Sequence, residues 1–214
     1  MRSKDIWFRV QGKFAHFGGI SFGPERTTML VPSASAAIGM CRAVFGKAAL
    51  EWLPREVHLL SKPERILTTV NELKSFATGH SVDRTQRQRT MLYGCDYGLR
   101  MGYRISPKHL RPQDNPEKIE KMLADRLAKQ QSYRSVCLGV SQAGGVIEWV
   151  HDPSLMPVPV DHTEDFGWIF YATDHHGDDQ SYLAPLSMKA GIATYPSWDD
   201  VRKYGRPFAY KQVS

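Results

Sequence analysis

An α+β domain of ferredoxin-like order, with a small antiparallel sheet behind it, is the fold class this sequence predicts. Three observations predict it. Period-2 and period-3.6 segments alternate as β, α, β, β, α, β over the first two thirds of the 214 residues. Both helical segments carry complete start signals. From about residue 144 onward the chain turns rich in Pro, His, Asp and aromatics, with short strands and long turns. The βαββαβ order is that of the split βαβ unit used by RNA-recognition folds.

The first strand rests on Ile6, Phe8 and Val10 alternating with Trp7, Arg9 and Gln11, and Gly12 ends it. A Gly-bearing loop from His16 to Pro24 leads to a short β-rich stretch, Thr27–Val31. Pro32 and Ser33 then open a helix, with Ser33 as cap and the Ala-rich run Ala34–Val44 as body. Val57 and Leu59 mark a second strand, closed by Pro63. Residues 64–90 are polar, hold Arg65, Lys74, Arg84, Arg87 and Arg89, and read as an exposed hairpin or loop. In the long strand that follows, Tyr97, Leu99, Met101, Tyr103 and Ile105 point one way and Gly98, Arg100, Gly102 and Arg104 the other. Asn115 caps the second helix, Pro116 suits its first position, and Ile119, Met122, Leu123 and Leu127 form its apolar face. Val136–Val140 and Val146–Val150 are further short strands. Phe166–Ala172 and Ala190–Tyr195 supply the C-terminal sheet. The expected division is a domain over 1–143 and a β subdomain over 144–214.

Lys and Arg outnumber Asp and Glu by 28 to 22, a formal charge of +6, which favours an anionic partner. Three widely spaced cysteines with no CxxC pair exclude a zinc knuckle or a disulfide framework. The charged N-terminus contains no apolar run of signal or membrane-span length, so a cytoplasmic protein is expected. His175, His176, Asp178 and Asp179 read as a solvated turn rather than a metal site. HExxH, GxSxG and Walker patterns are absent, so no cofactor, metal or catalytic residue is assigned. The basic residues point to RNA. Arg84, Arg87 and Arg89 precede the strand bearing Arg100 and Arg104, whose alternate residues repeat every ~6–7 Å, near a phosphate step. Interleaved Tyr93, Tyr97 and Tyr103 offer rings for unpaired bases, although the alternation places Tyr97 and Tyr103 in the core. Lys47, Lys118 and Lys121 are further cations, positioned after the first helix and at the start of the second.

Several segments together resemble one family. Phe8–Phe17 is similar to the first strand and Gly-turn of the CRISPR-associated Cas-five proteins of the RAMP superfamily. Val31–Gly39 resembles their first helix. Asn71-Glu72 matches a dipeptide of their thumb hairpin, and Arg87–Arg89 with Leu92, Asp96 and Tyr97 the segment after it. Cys137-Leu138-Gly139, Asp165–Tyr171 and Met188–Ile192 resemble later motifs, the last two those of the type I-C branch. The resemblance implies a ferredoxin-like domain whose thumb hairpin covers about 64–90. It implies a Cascade-like effector complex in which this subunit holds the 5′ handle of the guide RNA and meets backbone and large subunits, with target DNA near the licensing motif as a candidate contact. In the type I-C branch it also implies metal-independent cleavage of precursor RNA by a Tyr, a Lys and a His. Here Phe45 stands where the Tyr belongs, Lys118 on the Lys and Ile119 on the His. A phenyl ring and an aliphatic chain carry no proton to transfer. The expectation is an RNA-binding subunit that does not cut, in a type I variant or type IV system; the alternative is a nuclease with a relocated base, His16 first. RNA contacts are expected from Lys47, Arg84, Arg87, Arg89, Arg100, Arg104, Lys118 and Lys121.

Overall fold

The computed structural model describes residues 5–18, 26–73 and 84–208. The first strand is longer than its alternation required: β1 spans Ile6–Ala15, with Phe8 and Val10 buried and Arg9 and Gln11 facing outward. Two short strands follow, β2 (Phe17–Gly18) and β3 (Thr28–Met29), which pair with one another. α1 (Ala34–Val44) begins as its cap dictates, because the Ser33 Oγ accepts from the Ala36 N–H at 3.3 Å. Its buried side is mostly small, Ala34, Ala37, Cys41 and Ala43, which lets it lie close to the sheet.

β4 (Leu50–Leu59) extends well ahead of the expected Val57–Leu59, with Trp52 buried in the core. β5 (Glu64–Leu73) and β6 (Arg84–Ile105) pair along ten residues and form the hairpin expected over 64–90, whose tip lies outside the described residues. In β6, Tyr97, Leu99 and Met101 are fully buried, as the alternation predicted, and the Tyr97 hydroxyl donates to the Leu30 carbonyl at 2.9 Å. Tyr103 packs against the same core. α2 (Pro116–Ala128) is capped by Asn115, whose Oδ1 accepts from the Lys118 N–H at 2.8 Å, and it buries Ile119, Leu123 and Leu127.

β7 (Val136–Cys137) is only two residues of the expected Val136–Val140 and pairs with β8 (Gly144–Val150). The fourth strand of the first sheet is β8, paired antiparallel with β1. The spatial order β4-β6-β1-β8, all antiparallel, is the ferredoxin-like order. Gly144–Val150, grouped with the C-terminal segment by its sequence, therefore completes the first sheet.

The C-terminal strands β9 (Glu164–Thr173), β10 (Ser181–Lys189) and β11 (Ile192–Thr194) are antiparallel to one another. β11 also pairs with β4, so hydrogen bonds run on from the first sheet. The β10–β11 turn needs left-handed backbone at both Ala190 (φ 47°) and Gly191 (φ 77°). A side chain at Gly191 would begin 2.2 Å from the Val160 carbonyl oxygen. β10 was hidden from the sequence by Pro185, which lies where one edge of β10 is open, between its contacts with β11 and with β12 (Arg206–Pro207). α3 (Trp198–Tyr204) is opened by a capping box of Ser197 and Asp200.

Candidate nucleic-acid interface

The thumb hairpin positions Arg87 opposite Val70 and Arg89 opposite Thr68, two residues apart on one strand. Arg84 pairs with Leu73 in the same ladder; its side chain is outside the described residues. At the base of the hairpin Arg26 joins them. Its carbonyl accepts from Thr90 N at 3.0 Å and its N–H donates to Gln88 at 3.3 Å, which sets it beside Arg89. No local pattern marks Arg26, because the contact depends on the chain returning to the hairpin base.

His16, the candidate relocated base, is at this same base. Its Nδ1 lies 2.9 Å from the Thr90 carbonyl, which can only accept, so Nδ1 carries the proton. Its backbone N–H donates to Leu138 at 3.0 Å. Gly139 (φ 88°) allows this approach, since a Cβ there would begin 1.9 Å from the His16 carbonyl oxygen. The ring is 5% exposed. Burial holds its proton affinity below the usual histidine range; the Thr90 bond opposes this, and Arg89 and Arg26 add to it. His16 thus ties the thumb base to the loop before β8.

A second group of cations forms around one carboxylate. Lys118 Nζ lies 2.9 Å from Asp114 Oδ1 and donates to the Gln113 carbonyl at 3.0 Å. The Lys118 bond holds the Asp114 carboxyl below the usual range, and Lys47 and Arg111 lower it further. Lys47 and Lys118, far apart in sequence, both act on this carboxylate. Lys121 faces elsewhere, into a groove with Trp7, Glu117 and Glu120.

Arg100 and Arg104 are engaged within the sheet. Arg100 meets Asp5 at 2.7 Å and Glu56 at 3.0 Å, and Arg104 pairs with the buried Glu51. Glu56 and Glu51 stand directly opposite them on β4, a register that spacing along one strand does not disclose. Next to them Arg9 grips Asp96 with two bonds, 2.6 and 3.1 Å. Arg9, Arg55 and Arg100 are therefore matched by Asp5, Glu56 and Asp96 on this face.

The chain as a whole has counterparts among known proteins. A family model described as CRISPR-associated protein (Cas_Cas5) matches residues 5–205. The chain belongs to the Cas5 family. A relative from Mannheimia succiniciproducens, named CRISPR pre-crRNA endoribonuclease Cas5d, is 24% identical over 89% of this chain and 94% of its own. The fold is shared with a CRISPR-associated protein crystal structure (TM-score 0.70, 20% identity, 94% and 95% of the two chains). It is shared also with a functionally uncharacterized protein from Streptococcus mutans (TM-score 0.67, 16% identity, 94% and 96%).

Within this Cas5 chain, Phe45 and Ile119 are core residues, 4% and 1% exposed. Phe45 ends α1, and its carbonyl accepts from the Trp52 indole at 3.0 Å. Among the described residues no group of three His, Cys, Asp or Glu is arranged to hold a metal ion. No helix among them is long and apolar enough to cross a membrane.

Proposed function

We propose that this chain holds the 5′ handle of a CRISPR guide RNA in a multisubunit effector complex in the cytoplasm, and that it does so without cutting the RNA. The observation that carries the second half is the burial of Phe45 and Ile119. General acid–base cleavage needs titratable groups within reach of the 2′-hydroxyl and the leaving oxygen. Apolar side chains inside the core meet neither need, and Lys118 is held by Asp114 and Gln113. The Mannheimia relative's name describes an endoribonuclease; this chain keeps the fold with a packed interior at those two positions.

The RNA path we propose runs along the thumb arginines Arg84, Arg87 and Arg89 with Arg26 at its base, and past Lys47 and Lys118, with Lys121 as an outlying cation. The open face of the sheet, which RNA-recognition folds use for bases, is filled here by balanced ion pairs and by Met156, 3.4 Å from where a Gly98 side chain would begin. Arg100 and Arg104 in this reading hold the sheet. The partners are the guide RNA and, through the faces left free, the backbone and large subunits of the complex.

The test is incubation of the purified chain with its own repeat RNA in EDTA, followed by separate gels for binding and for products. The expected result is a retained, intact RNA. A product ending in a 2′,3′-cyclic phosphate would overturn the non-cleaving assignment, and absence of binding would overturn the RNA-holding one.

A further inference from the structure

Between α1 and the turn joining β9 to β10 lies a cavity of about 200 Å³, against the ~10–15 Å³ that admits one water. Its floor is the side of α1 carrying Ser35, Gly39 and Arg42. A side chain at Gly39 would meet nothing within 4 Å, so the absence of one leaves the space open.

The charges around it are unevenly matched. Of the two carboxylates in its wall, Glu51 is paired with Arg104, and Asp174 holds Arg202 through Oδ2 at 2.7 Å. Arg42 and Arg134 also line the cavity, and neither makes an ion pair among the described residues. Burial makes the Arg42 proton easier to lose, the nearby Arg134 charge adds to this, and Glu51 opposes it. Two guanidinium groups beside carboxylates already engaged by Arg104 and Arg202 leave a positive excess that suits an anion, and their fork geometry suits phosphate.

The deep end makes a different demand. Asp174 is 1% exposed, and among the described residues its Oδ1 accepts no hydrogen bond. His176 Nδ1 and His109 Nε2 are likewise buried without a partner, the two rings meeting edge-on at 4.9 Å. Burial, then His109, Arg42 and Arg104, push His176 down to about 4, which keeps it neutral at neutral pH and reports the same positive field. An orphaned buried acceptor is costly, and a ligand N–H relieves it. The ligand that fits both ends carries a phosphate at one end and an N–H donor at the other.

We propose that this cavity takes one unpaired nucleotide of the bound RNA, its phosphate between Arg42 and Arg134 and the amino group of its base on Asp174 Oδ1. The proposal rests on the RNA-holding function above and adds a contact away from the thumb, with a preference for a base that bears an amino group.

The probes are CMP and UMP, which differ at ring position 4 by an amino group against a carbonyl, titrated into the full chain by calorimetry. CMP is expected to saturate and to bind about tenfold more tightly than UMP, the value of one hydrogen bond to a charged group. Arg42→Gln and Arg134→Gln are each expected to weaken CMP about tenfold or more, with melting temperatures and thumb-dependent binding of repeat RNA kept. Arg42→Lys, which retains charge and loses the fork, is expected to fall between. Equal affinity for CMP and UMP, or CMP affinity unmoved in both glutamine variants, would overturn the assignment. Repeat RNA bound by the wild-type chain alongside such a result refutes the cavity alone; repeat RNA not bound at all refutes the function beneath it.

Discussion

Giving positions 45 and 119 the Tyr and His that the family resemblance implies should damage this protein rather than activate it. Ile119→His places an imidazole where α2 meets the core, at a position 1% exposed and one turn from Leu123. Removing a buried aliphatic chain of this size from its apolar surroundings costs about 1.5–3 kcal/mol. The ring brings two nitrogens, and one left unsatisfied adds about 1–3 kcal/mol. The sum, roughly 2.5–6 kcal/mol, is a large part of the ~5–15 kcal/mol that holds a domain folded. Adding Phe45→Tyr buries a hydroxyl at a position 4% exposed, for about 1–3 kcal/mol more if it finds no acceptor. Urea melts followed by circular dichroism measure the loss, and repeat RNA in EDTA measures activity. The expected double variant is strongly destabilised and uncut RNA is recovered from it. A loss below about 1 kcal/mol for Ile119→His, or a cleaved product from either variant, would refute the claim that these positions have exchanged chemistry for packing.

Other outcomes follow from the same geometry. Arg87→Gln with Arg89→Gln should lower the slope of log affinity against log salt by about 1.4 for single-stranded RNA, two phosphates at ~0.7 each; an unchanged slope removes the thumb from the RNA path. Gly191→Ala forces a side chain into left-handed backbone 2.2 Å from the Val160 oxygen and should lower stability by at least about 1–3 kcal/mol in a denaturant melt. His16 and His176 both have folded proton affinities below the unfolded value, so the unfolded chain takes up protons first. Stability is then fully present above the unfolded histidine range and falls as pH drops from about 6.5 toward 4, the level to which His176 is pushed. Thermal melts across that interval should show the decline, and His176→Gln should flatten it; a Tm unmoved by pH in the wild type would contradict the lowered proton affinity of the buried His16 and half-buried His176.

Much of this fold was legible in the sequence because local signals and tertiary environment agree. Ser33 and Asn115 start their helices as short-range chemistry requires, and the β6 alternation sorts core from surface without knowledge of any partner strand. The failures share a cause. Glu51 and Trp52 belong to β4 because they pair with Arg104 and Tyr103, a quarter of the chain away. β10 alternates cleanly, with Tyr182, Ala184, Leu186 and Met188 buried, yet Pro185 argues against a strand until the open edge beside it is known. The strand expected over Val136–Val140 gives way to β8 because the glycines of Gly144 and Gly145, read as a turn, enter the ladder with β1 and β7.

The site was harder to read than the fold, since a charge is defined by what stands opposite it. Arg100 and Arg104 had the right residue type and spacing for phosphates, and each has a carboxylate across the ladder. Arg42 and Arg134 showed nothing in sequence: one sits in an apolar helix, the other in a short loop. They matter because the fold brings both to one cavity whose own carboxylates are taken by Arg104 and Arg202. A count of 28 basic residues against 22 acidic ones could not separate these cases. Among the described residues, basic side chains gather at the thumb base, where Arg26 meets Arg89, around Asp114, on which Lys47, Arg111 and Lys118 act, and at the α1 cavity. In the RNA path proposed above, a single strand visits these places and leaves the ion-paired face of the sheet unused. Charge reversal at Arg9 or Arg55 should therefore leave RNA affinity nearly unchanged, while reversal at Arg89 should weaken it.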